Sequence, residues 1–406
     1  MARAKKKQKK SAPIVRLSPE MKLKRSIRAH FRKLGFAKGA EGTLVRPEGG
    51  KDIVREMHRV QRDERLQQSA EFLNENLREA LPCFADGGEI DPAKVDLTLV
   101  RVEPGTYETN LFRIASLTWS VPVSNGYGRR LRYLIWDTYH DRIAGIAALG
   151  DPVFNLGVRD NLIGWDAEDR SQRLVNVLDA YVLGAVPPYN FLLGGKAVAS
   201  LVRTREVYND FTRTYGASTG IISGEDKHAR LLAVTTSSSM GRSSVYNRLR
   251  LGGVDYFSSI GYTLGWGHFH ITDDLFAQMR DYLRLIKHPY ADRHRFGQGP
   301  NWRMRTIRAA LRELGVNESV LRHGIQREVF LCAYAANAAR ILKTGKGRPD
   351  LSTLLPAAEV SALARERWLA PRALRRPEFA HWRRSDIVNL IYGRPVDFAQ
   401  HMVRAA

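Results

Sequence analysis

The sequence predicts an α+β fold in which a mixed sheet, flanked by helices, lies between two basic helical regions. From about residue 95 the apolar residues alternate with a period of two and β-branched residues become frequent, which is typical of strands. Before that point and beyond Asp273 the apolar spacing is helical. An apolar run ends at Pro187, and a Gly-rich turn at residues 194–196 then begins a helix. We therefore predict a disordered basic arm at 1–17, a basic helical N-terminal region at 18–94, an α/β core at 95–272 and a basic helical C-terminal region at 273–406.

Two helices are predicted before the sheet. Ser18 followed by Pro19 indicates a helix start, with serine as the cap and proline in the first turn. Apolar residues then recur at helical spacing up to Gly35, where this helix is predicted to stop. A second helix of mixed charge is predicted at about 51–80, facing solvent and ending before Pro82.

The predicted core alternates strands, turns and helices. Two neighbouring strands separated by a polar turn are predicted to form an antiparallel hairpin. The strand that ends at Pro187 leads into a long helix from Gly194 to about Tyr215. Residues 151–177, before that strand, are predicted to form a loop with some helix. The other predicted strands are 97–103, 111–119, 131–136, 143–149, 230–236 and 260–271, and a short helix is predicted at 242–251.

The positive charge of the chain is concentrated near its ends. The net charge is +22, and residues 1–38 alone carry 14 Lys and Arg against one acidic residue. Residues 284–312 add a net +7 and residues 363–384 a net +5, so the remainder is close to neutral. Clustered Lys and Arg favour a nucleic-acid partner, because each cation can neutralise a phosphate. For the first ten residues, a solvated tail is the alternative.

We predict nucleic-acid contacts in two of these segments, with DNA favoured over RNA. The run around Trp302 combines an indole with several guanidinium groups, the side chains that grip single strands by stacking and by phosphate contact. The alternative for Trp302 is a core position covered by the stems of the arginines. The candidate contact residues are Lys24, Arg25, Arg28, Arg32, Lys33, Trp302, Arg303, Arg305 and Arg308.

The cysteine content and hydropathy indicate a cytoplasmic protein without a membrane partner. Cys83 and Cys332 are far apart and have no metal-binding spacing, so both are predicted to be free thiols in a reducing compartment. No apolar run approaches the ~18–20 residues that span a bilayer. The basic N-terminus is followed by no apolar segment of the kind found in secretory signals.

The turn at residues 189–196 is the first candidate ligand site. A strand, a Gly-containing turn and a helix N-terminus together expose backbone N–H groups, which bind anions readily. The spacing is not that of a Walker A loop, because the first glycine and the final Ser or Thr are missing. The alternative is a strand–helix connection in which glycine allows close packing. The candidate residues for binding a phosphate or nucleotide here are Tyr189, Asn190, Gly194, Gly195 and Lys196.

A Ser-rich turn after the strand at 230–236 is the second candidate ligand site. Hydroxyl groups next to a helix N-terminus can bind an anion, although serine is also a common helix cap. If the strands before the two candidate turns are parallel neighbours, both turns lie at the same edge of the sheet. The candidate residues of this second turn are Ser237, Ser239, Arg242 and Tyr246.

No metal site or catalytic residue is predicted. His268 and His270 alternate on a predicted strand and so share a face, but no spacing supplies the further ligands that a metal needs. Polar turns explain the carboxylates of the central region more simply than a Mg²⁺ site does, and Arg159 with Asp160 is predicted to form a structural pair. The residue pattern names no cofactor and leaves open whether any reaction is catalysed.

The order of the core elements resembles the GNAT acyltransferase fold. The hairpin at 133–148 looks like the central strands of that fold, and 231–256 looks like its late strand and tyrosine-bearing segment. The family's coenzyme A loop reads Gln/Arg-x-x-Gly-x-Gly/Ala, whereas here Leu192 stands where Gln or Arg is expected. The resemblance implies a GNAT-like core and, as an alternative function, an acyl-coenzyme A- or nucleotide-dependent transferase.

A second resemblance, over residues 95–345, is to the Druantia anti-phage system protein DruA family. It implies a bacterial anti-phage defence component that acts with partner proteins, and supplies no catalytic residue. The leading hypothesis is a nucleic-acid-binding component of such a system, with a transposition accessory protein as a further alternative; a homo-oligomer is left open. The matching blocks are Arg132-Tyr-Leu-Ile-Trp136, Gly145-Ile-Ala-Ala-Leu-Gly-Asp151, Arg159-Asp160, Ile163-Gly-Trp165, Pro187-Pro-Tyr-Asn-Phe-Leu-Leu-Gly-Gly-Lys196, the segment 235–248, Gly265-Trp-Gly-His-Phe-His270 and Gly299-Pro-Asn-Trp-Arg-Met-Arg305.

Overall fold

The computed structural model describes residues 17–38, 44–45, 49–219, 226–292 and 300–394. The predicted basic arm at 1–17 lies outside the described residues except for Leu17. The chain divides into two compact units, the first formed by residues 1–47 and 267–322 and the second by residues 48–266 and 323–406. Across the described residues, no helix combines the length and the apolar character that a membrane crossing needs.

The described helices and strands alternate through most of the chain. The helices are α1 (Pro19–Lys33), α2 (Lys51–Gln68), α3 (Ala70–Ala80), α4 (Tyr107–Leu117), α5 (Gly157–Ile163), α6 (Ala167–Arg173), α7 (Gly194–Leu201), α8 (Arg205–Tyr215), α9 (Asp273–Leu285), α10 (Pro300–Glu313), α11 (Ala338–Thr344), α12 (Ala357–Ala364), α13 (Ala370–Arg375) and α14 (Asp386–Ile391). The strands are β1 (Ala37–Lys38), β2 (Leu44–Val45), β3 (Leu97–Arg101), β4 (Arg130–Asp137), β5 (Arg142–Gly150), β6 (Val177–Ala185), β7 (Ser218–Thr219), β8 (Asp226–Lys227), β9 (Ala233–Ser237), β10 (Arg250–Leu251), β11 (Val254–Asp255), β12 (Ser258–Tyr262) and β13 (Glu328–Ala333).

The first unit is a small helical assembly in which α9 packs against both α1 and α10. The predicted start of α1 is confirmed, because the Ser18 side chain accepts a hydrogen bond from the Met21 amide at 3.2 Å and Pro19 begins the helix. The predicted stop is confirmed as well, since Gly35 adopts a φ of +79° that favours glycine. A short antiparallel pair, β1 with β2, follows α1.

The second unit is built on a seven-stranded mixed sheet in the order β12-β13-β9-β6-β5-β4-β3. The predicted hairpin is confirmed as the antiparallel pair β4 and β5. Strands β6 and β9 pair in parallel, and the other neighbours in this sheet are antiparallel. Helices flank the sheet, so the predicted α+β class with a mixed sheet is confirmed.

Alternation along the strands gives the sheet two apolar faces. In β4, Leu131, Tyr133 and Ile135 join one buried cluster, which also contains residues of α7, α8 and α12. Leu134, between them in sequence, points to the other side and joins a cluster with residues of α3, α4 and α14. Each face is therefore covered by helices, which is why the strands read as apolar runs.

Three predicted elements of the second unit are corrected by the structure. Residues 111–119 lie mostly in α4 and not in a strand, because the apolar residues 111, 112, 114, 115 and 117 fit a buried helix as well as a strand. The long helix from Gly194 is broken into α7 and α8, where Thr204 is extended and the Arg203 guanidinium donates to the carbonyl of Ala333 at 2.7 Å. The second N-terminal helix is likewise divided into α2 and α3 at Ser69.

Further predictions fail close to the edge of the sheet. Residues 242–251 form turns and the start of a small hairpin, β10 with β11, and not a helix. The predicted strand 260–271 ends at Tyr262, because Gly265 (φ +67°) approaches Gly324 so closely that a Cβ would lie 2.8 Å from its carbonyl carbon. The mostly helical region predicted beyond Asp273 also contains one strand, β13, in the interior of the sheet.

Candidate nucleic-acid interface

Helix α1 has one buried face and one cationic face. Leu23 and Phe31 are buried in the first unit, on the stripe that also contains Ile27. Arg25, Arg28 and Arg32 lie on the opposite side of the helix, at the i, i+3, i+7 spacing that puts residues on one face. All three are exposed, and within the described part of the chain none of them forms an ion pair. The exposed row is therefore available to an anionic partner.

The other two candidate residues of α1 flank this row. Lys24 is half-buried and its ammonium pairs with Glu20 at 2.6 Å, one helical turn away. Lys33 is exposed in the last turn, where a cation also complements the helix dipole. The charge of Lys24 is thus balanced within α1, whereas that of Lys33 adds to the arginine row.

Helix α10 repeats the spacing seen in α1. Arg305, Arg308 and Arg312 are all exposed and again stand at i, i+3 and i+7. Arg308 pairs with Glu318 at 2.8 Å, an exposed ion pair of the kind that contributes little stability and exchanges readily. Arg305 and Arg312 have no ion-pair partner among the residues that the structure describes.

Trp302 and Arg303 have partners inside the first unit. The Trp302 ring is half-buried and meets the Phe276 ring edge-on at 5.4 Å, with the Arg280 guanidinium over it at 5.2 Å. Arg303 pairs with Asp273 at 2.7 Å and donates to the backbone carbonyl of Ile271. These contacts favour packing positions for both side chains over a surface that stacks on bases.

The division into units joins basic segments that lie far apart in sequence. The first unit contains both the N-terminal segment and the whole of the basic stretch at 284–312. Its 103 residues carry 25 Lys and Arg against 8 Asp and Glu, a net charge of +17 out of the +22 of the whole chain. The second unit is about three times longer, yet it carries only the remaining +5. A quarter of the chain thus carries most of its positive charge.

Several arginines of the third basic segment, 363–384, hold the C-terminal region against earlier residues of the second unit. Arg365 donates to the carbonyl of Val95 at 2.9 Å, and Arg384 pairs with Asp86 at 2.9 Å. Arg376 pairs with Glu378. These contacts engage three of the seven arginines of the segment, so it offers less free charge than its sequence indicates.

The turn at 189–196 connects β6 to α7 through a short 3₁₀ helix, Tyr189–Leu192. Gly194 begins α7, and a Cβ at this position would lie 2.5 Å from the carbonyl oxygen of Tyr189. Gly195 has more room, since a Cβ there would have a methyl group of Val245 as its nearest neighbour, at 3.6 Å. Close packing therefore requires glycine at 194 and not at 195, as expected for a strand–helix connection. Asn190, by contrast, is exposed on this turn.

Lys196 connects the two candidate ligand turns. Its ammonium donates to the backbone carbonyls of Val245 and Asn247 at 2.8 and 2.9 Å, in the turn that follows β9. Burial and the nearby Arg367 lower the pKa of Lys196. The two turns therefore meet, as the parallel pairing of β6 with β9 led us to expect, but the ammonium faces carbonyl oxygens of the protein.

A side-chain hydrogen bond within the Ser-rich turn stabilises its backbone. Ser237 and Ser239 are half-buried and Arg242 is exposed. Ser243, in the same serine cluster, accepts from the amide of Val245 at 3.1 Å, so its hydroxyl caps the local turn.

Tyr246 packs inside the second unit. Its ring lies 5.3 Å from that of Phe257 and 5.2 Å from that of Phe330, and burial raises the pKa of Tyr246 to about 12. A neutral phenol enclosed by aromatic rings is a core group. The role of these candidates in ligand binding stays a prediction.

The two histidines of the predicted metal fragment do not lie on a strand. His268 and His270 precede α9 in a loop of the first unit. The Nε2 of His270 lies 2.7 Å from the carbonyl oxygen of Val320, to which it donates, and burial lowers the pKa of His270 to about 4. The His270 ring also packs on Phe31 and Phe36, at 5.5 and 6.1 Å. His270 is thus a neutral core residue.

A buried polar network at the end of β4 was missed by the sequence analysis. The Asp137 carboxylate has no exposed surface and accepts from the Tyr189 hydroxyl at 2.8 Å and from His140 Nδ1 at 2.6 Å. Because His140 Nε2 accepts from the Asp91 amide at 2.9 Å, the proton of the neutral ring is on Nδ1. In sequence Asp137 belongs to a polar turn, and its hydrogen bond with the remote Tyr189 is visible only in the fold.

Arg159 and Asp160 form the structural pair that the sequence predicts. The Arg159 guanidinium is fully buried and lies 2.7 Å from the Asp160 carboxylate. It also donates to the carbonyls of Val153 and Phe154 at 3.0 and 2.9 Å. Nearby on β6, burial raises the pKa of Asp179 to about 6. Within the described residues, no three His, Cys, Asp or Glu side chains converge as a metal site would require.

The comparisons with known proteins agree with one of the two resemblances. The family model described as "Druantia protein DruA" matches residues 48–344. The chain belongs to the DruA family. A curated "Druantia protein DruA" from Escherichia coli (strain UMEA 4076-1) is 54% identical over 379 residues, which covers 93% of this chain and 94% of that relative. No solved structure matches the chain.

Family membership confirms the resemblance that the blocks between residues 132 and 305 indicated. The match to the family model includes the whole sheet of the second unit and helices α9 and α10 of the first. Helix α1 precedes the range of the family model. The arginine row of α10 therefore lies within the range of this chain that matches the family model.

Proposed function

We propose that this DruA-family chain is the nucleic-acid-binding component of an anti-phage, Druantia-type defence system that acts in the cytoplasm with partner proteins. One observation carries the proposal: two helices of the same unit each present three exposed arginines at i, i+3 and i+7, in a unit with a net charge of +17. Family membership supplies the defence setting, and the charge distribution supplies the ligand class.

The physical basis is the release of counterions from phosphates. Each Lys or Arg that neutralises a phosphate of duplex DNA adds about 0.9 to the slope of the logarithm of the binding constant against the logarithm of salt concentration. Arginine suits this contact because its planar group can donate two hydrogen bonds to one phosphate. Contacts of this kind are independent of base sequence, so we expect binding to many sequences with a preference set by backbone geometry.

The proposal is tested by removing the α1 row from the full chain. Fluorescence anisotropy with a labelled duplex DNA should show that Arg25→Ala, Arg28→Ala and Arg32→Ala together reduce the salt slope by about 3. The control removes three exposed cations of the second unit that form no ion pair among the described residues, by Lys51→Ala, Arg78→Ala and Arg383→Ala. Equal slopes for the α1 variant and the control would remove α1 from the interface.

Anisotropy also tests whether DNA or RNA is preferred, and separate experiments test for partner proteins. A duplex DNA should bind more tightly than an RNA of the same length and sequence, and the reverse order would contradict the preference for DNA. Co-expression with the neighbouring defence genes followed by affinity purification of this chain should recover a stable partner protein. Light scattering on the purified chain reports whether it forms a homo-oligomer.

A further inference from the structure

A second basic surface lies on the unit that carries the sheet, at the end of α11. Residues 338–348 contain four cations, Arg340, Lys343, Lys346 and Arg348, and no acidic residue. All four side chains are exposed, and within the described ranges none of them forms an ion pair. The segment falls outside the three basic stretches that the charge count of the sequence singled out.

The loop at 344–348 is fixed by hydrogen bonds to its carbonyl groups. Arg230 donates to the Gly347 carbonyl at 2.6 Å, and the Asn337 amide donates to the Arg348 carbonyl at 2.9 Å. Arg173 donates to the carbonyl of Lys343, just before the loop. The carbonyl oxygens therefore point toward the protein, where these donors hold them.

This orientation turns a backbone amide toward the solvent. In a trans peptide the C=O of one residue and the N–H of the next point in opposite directions. Since the Gly347 carbonyl faces Arg230, the Arg348 N–H faces away from the protein. Neither this N–H nor that of Gly347 donates to any residue that the structure describes.

The loop also requires glycine at two positions. Gly347 has a φ of +111° and Gly345 a φ of +72°, values that side-chain-bearing residues seldom adopt. A Cβ on Gly347 would lie 3.1 Å from a guanidinium nitrogen of Arg340. The missing side chain thus places the open backbone directly beside a cation, an arrangement that favours anions.

The neighbouring acidic groups leave the surface positive. Asp169 pairs with Arg173 at 2.7 Å, and Asp350 accepts hydrogen bonds from the hydroxyl and the amide of Ser352, which lower the pKa of Asp350. The four cations of the segment and its two contacting arginines, Arg173 and Arg230, thus outnumber these two carboxylates. Lys343 complements the C-terminal dipole of α11, but Lys346 and Arg348 lie beyond the helix and have no such role.

We propose that the 344–348 loop, with Arg340 and Lys343, binds phosphate groups of a nucleic-acid backbone as a second contact of this chain. The proposal rests on the proposed function for its ligand class, and it assigns that ligand to the sheet-bearing unit as well. The donors are an exposed amide, two ammonium groups and two guanidinium groups. Such a set recognises phosphate without reading bases.

The test compares three triple variants of the full chain by anisotropy with a duplex DNA, from about 50 to about 200 mM salt. The loop variant is Lys343→Ala, Lys346→Ala and Arg348→Ala, and the helix variant is Arg25→Ala, Arg28→Ala and Arg32→Ala. The control variant is Lys51→Ala, Arg78→Ala and Arg383→Ala. Far-UV circular dichroism and thermal unfolding establish that each variant is folded, which is expected because all nine side chains are exposed.

Each result separates this proposal from the preceding one. The loop proposal predicts that the salt slope of the loop variant falls by about 3 relative to the control. A loop variant that matches the control while the wild type binds DNA overturns the loop proposal alone. A loop variant that loses slope while the helix variant does not would support the loop and overturn the assignment to α1. Failure of the wild type to bind at low salt overturns both.

Discussion

The ammonium of Lys196 donates a hydrogen bond to the backbone carbonyl of Val245 at 2.8 Å. A second bond to the Asn247 carbonyl makes this lysine the connection between α7 and the turn after β9. We predict that Lys196→Met, which keeps the aliphatic stem, destabilises the chain by about 1–3 kcal/mol because two partly buried acceptors lose their donor. Urea unfolding measures the change, with the exposed Lys51→Met as the control. A loss no larger than that of the control would contradict the structural role of Lys196.

The adjacent glycines should respond differently to the same substitution. Gly194→Ala places a methyl group 2.5 Å from the Tyr189 carbonyl oxygen, so the backbone must shift. We predict a loss of about 1–3 kcal/mol for Gly194→Ala, as for other overpacked sites, and little change for Gly195→Ala. Thermal and urea unfolding of the two variants provide a matched pair. Equal stabilities would mean that the close approach at Gly194 is relieved at no cost.

The buried Asp137 depends on the hydroxyl of Tyr189. Burial and the carboxylate of Asp137 raise the pKa of Tyr189, so this phenol stays protonated and donates over the whole range in which the protein is handled. Tyr189→Phe removes one of the donors to a fully buried carboxylate. We predict a loss of about 1–3 kcal/mol, with Tyr139→Phe at an exposed position as the control. A variant as stable as the control would show that His140 and the backbone satisfy Asp137 alone.

Acid should weaken the first unit through His270. The folded-state pKa of His270 is about 4 against 6.5 for a free imidazole, so the unfolded chain binds more protons between these two values. The contribution of this group to stability is therefore constant above about pH 6.5 and falls as the pH drops toward 4, by about 3 kcal/mol in total.

The His270 prediction has two readouts. His270→Gln keeps a donor for the Val320 carbonyl and removes one of the two lowered ionisations, so it should reduce the pH dependence of urea unfolding, whereas the exposed His228→Gln should not. NMR of labelled histidines should show that the His270 ring, assigned with the His270→Gln variant, stays neutral to about pH 4, as should the ring of His268, whose pKa burial also lowers to about 4. Titration of the His270 ring near pH 6.5 would contradict its burial.

The sequence correctly predicted those elements that depend only on neighbouring residues. The cap at Ser18, the stop at Gly35 and the β4–β5 hairpin all depend on neighbouring residues. Residues 111–119 predict a strand as readily as the observed helix α4, because a largely buried apolar run carries no single period. Strand β13 was missed because its pairing with β9 joins residues almost a hundred positions apart.

Contacts between residues remote in sequence also limited the prediction of the candidate site. Charge counting found the exposed rows of α1 and α10, since exposure of arginine is the common case. It could not show that Arg365 and Arg384 are engaged by Val95 and Asp86, because both partners are remote in sequence. The carbonyl partners of Lys196 were equally hidden. Every residue has a backbone carbonyl, so the sequence does not show which carbonyl a given lysine or arginine contacts.

The salt dependence of DNA binding by the full chain is the sharpest measurement of whether this DruA-family chain binds nucleic acid through phosphate contacts. With about six phosphates neutralised, the affinity for a duplex DNA should fall by about a thousandfold or more between ~50 and ~200 mM salt. A plot of the logarithm of the binding constant against the logarithm of salt concentration should be linear with a slope of about −5. No binding at the lower salt concentration, or an affinity that does not change with salt, would show that the chain does not bind through phosphates.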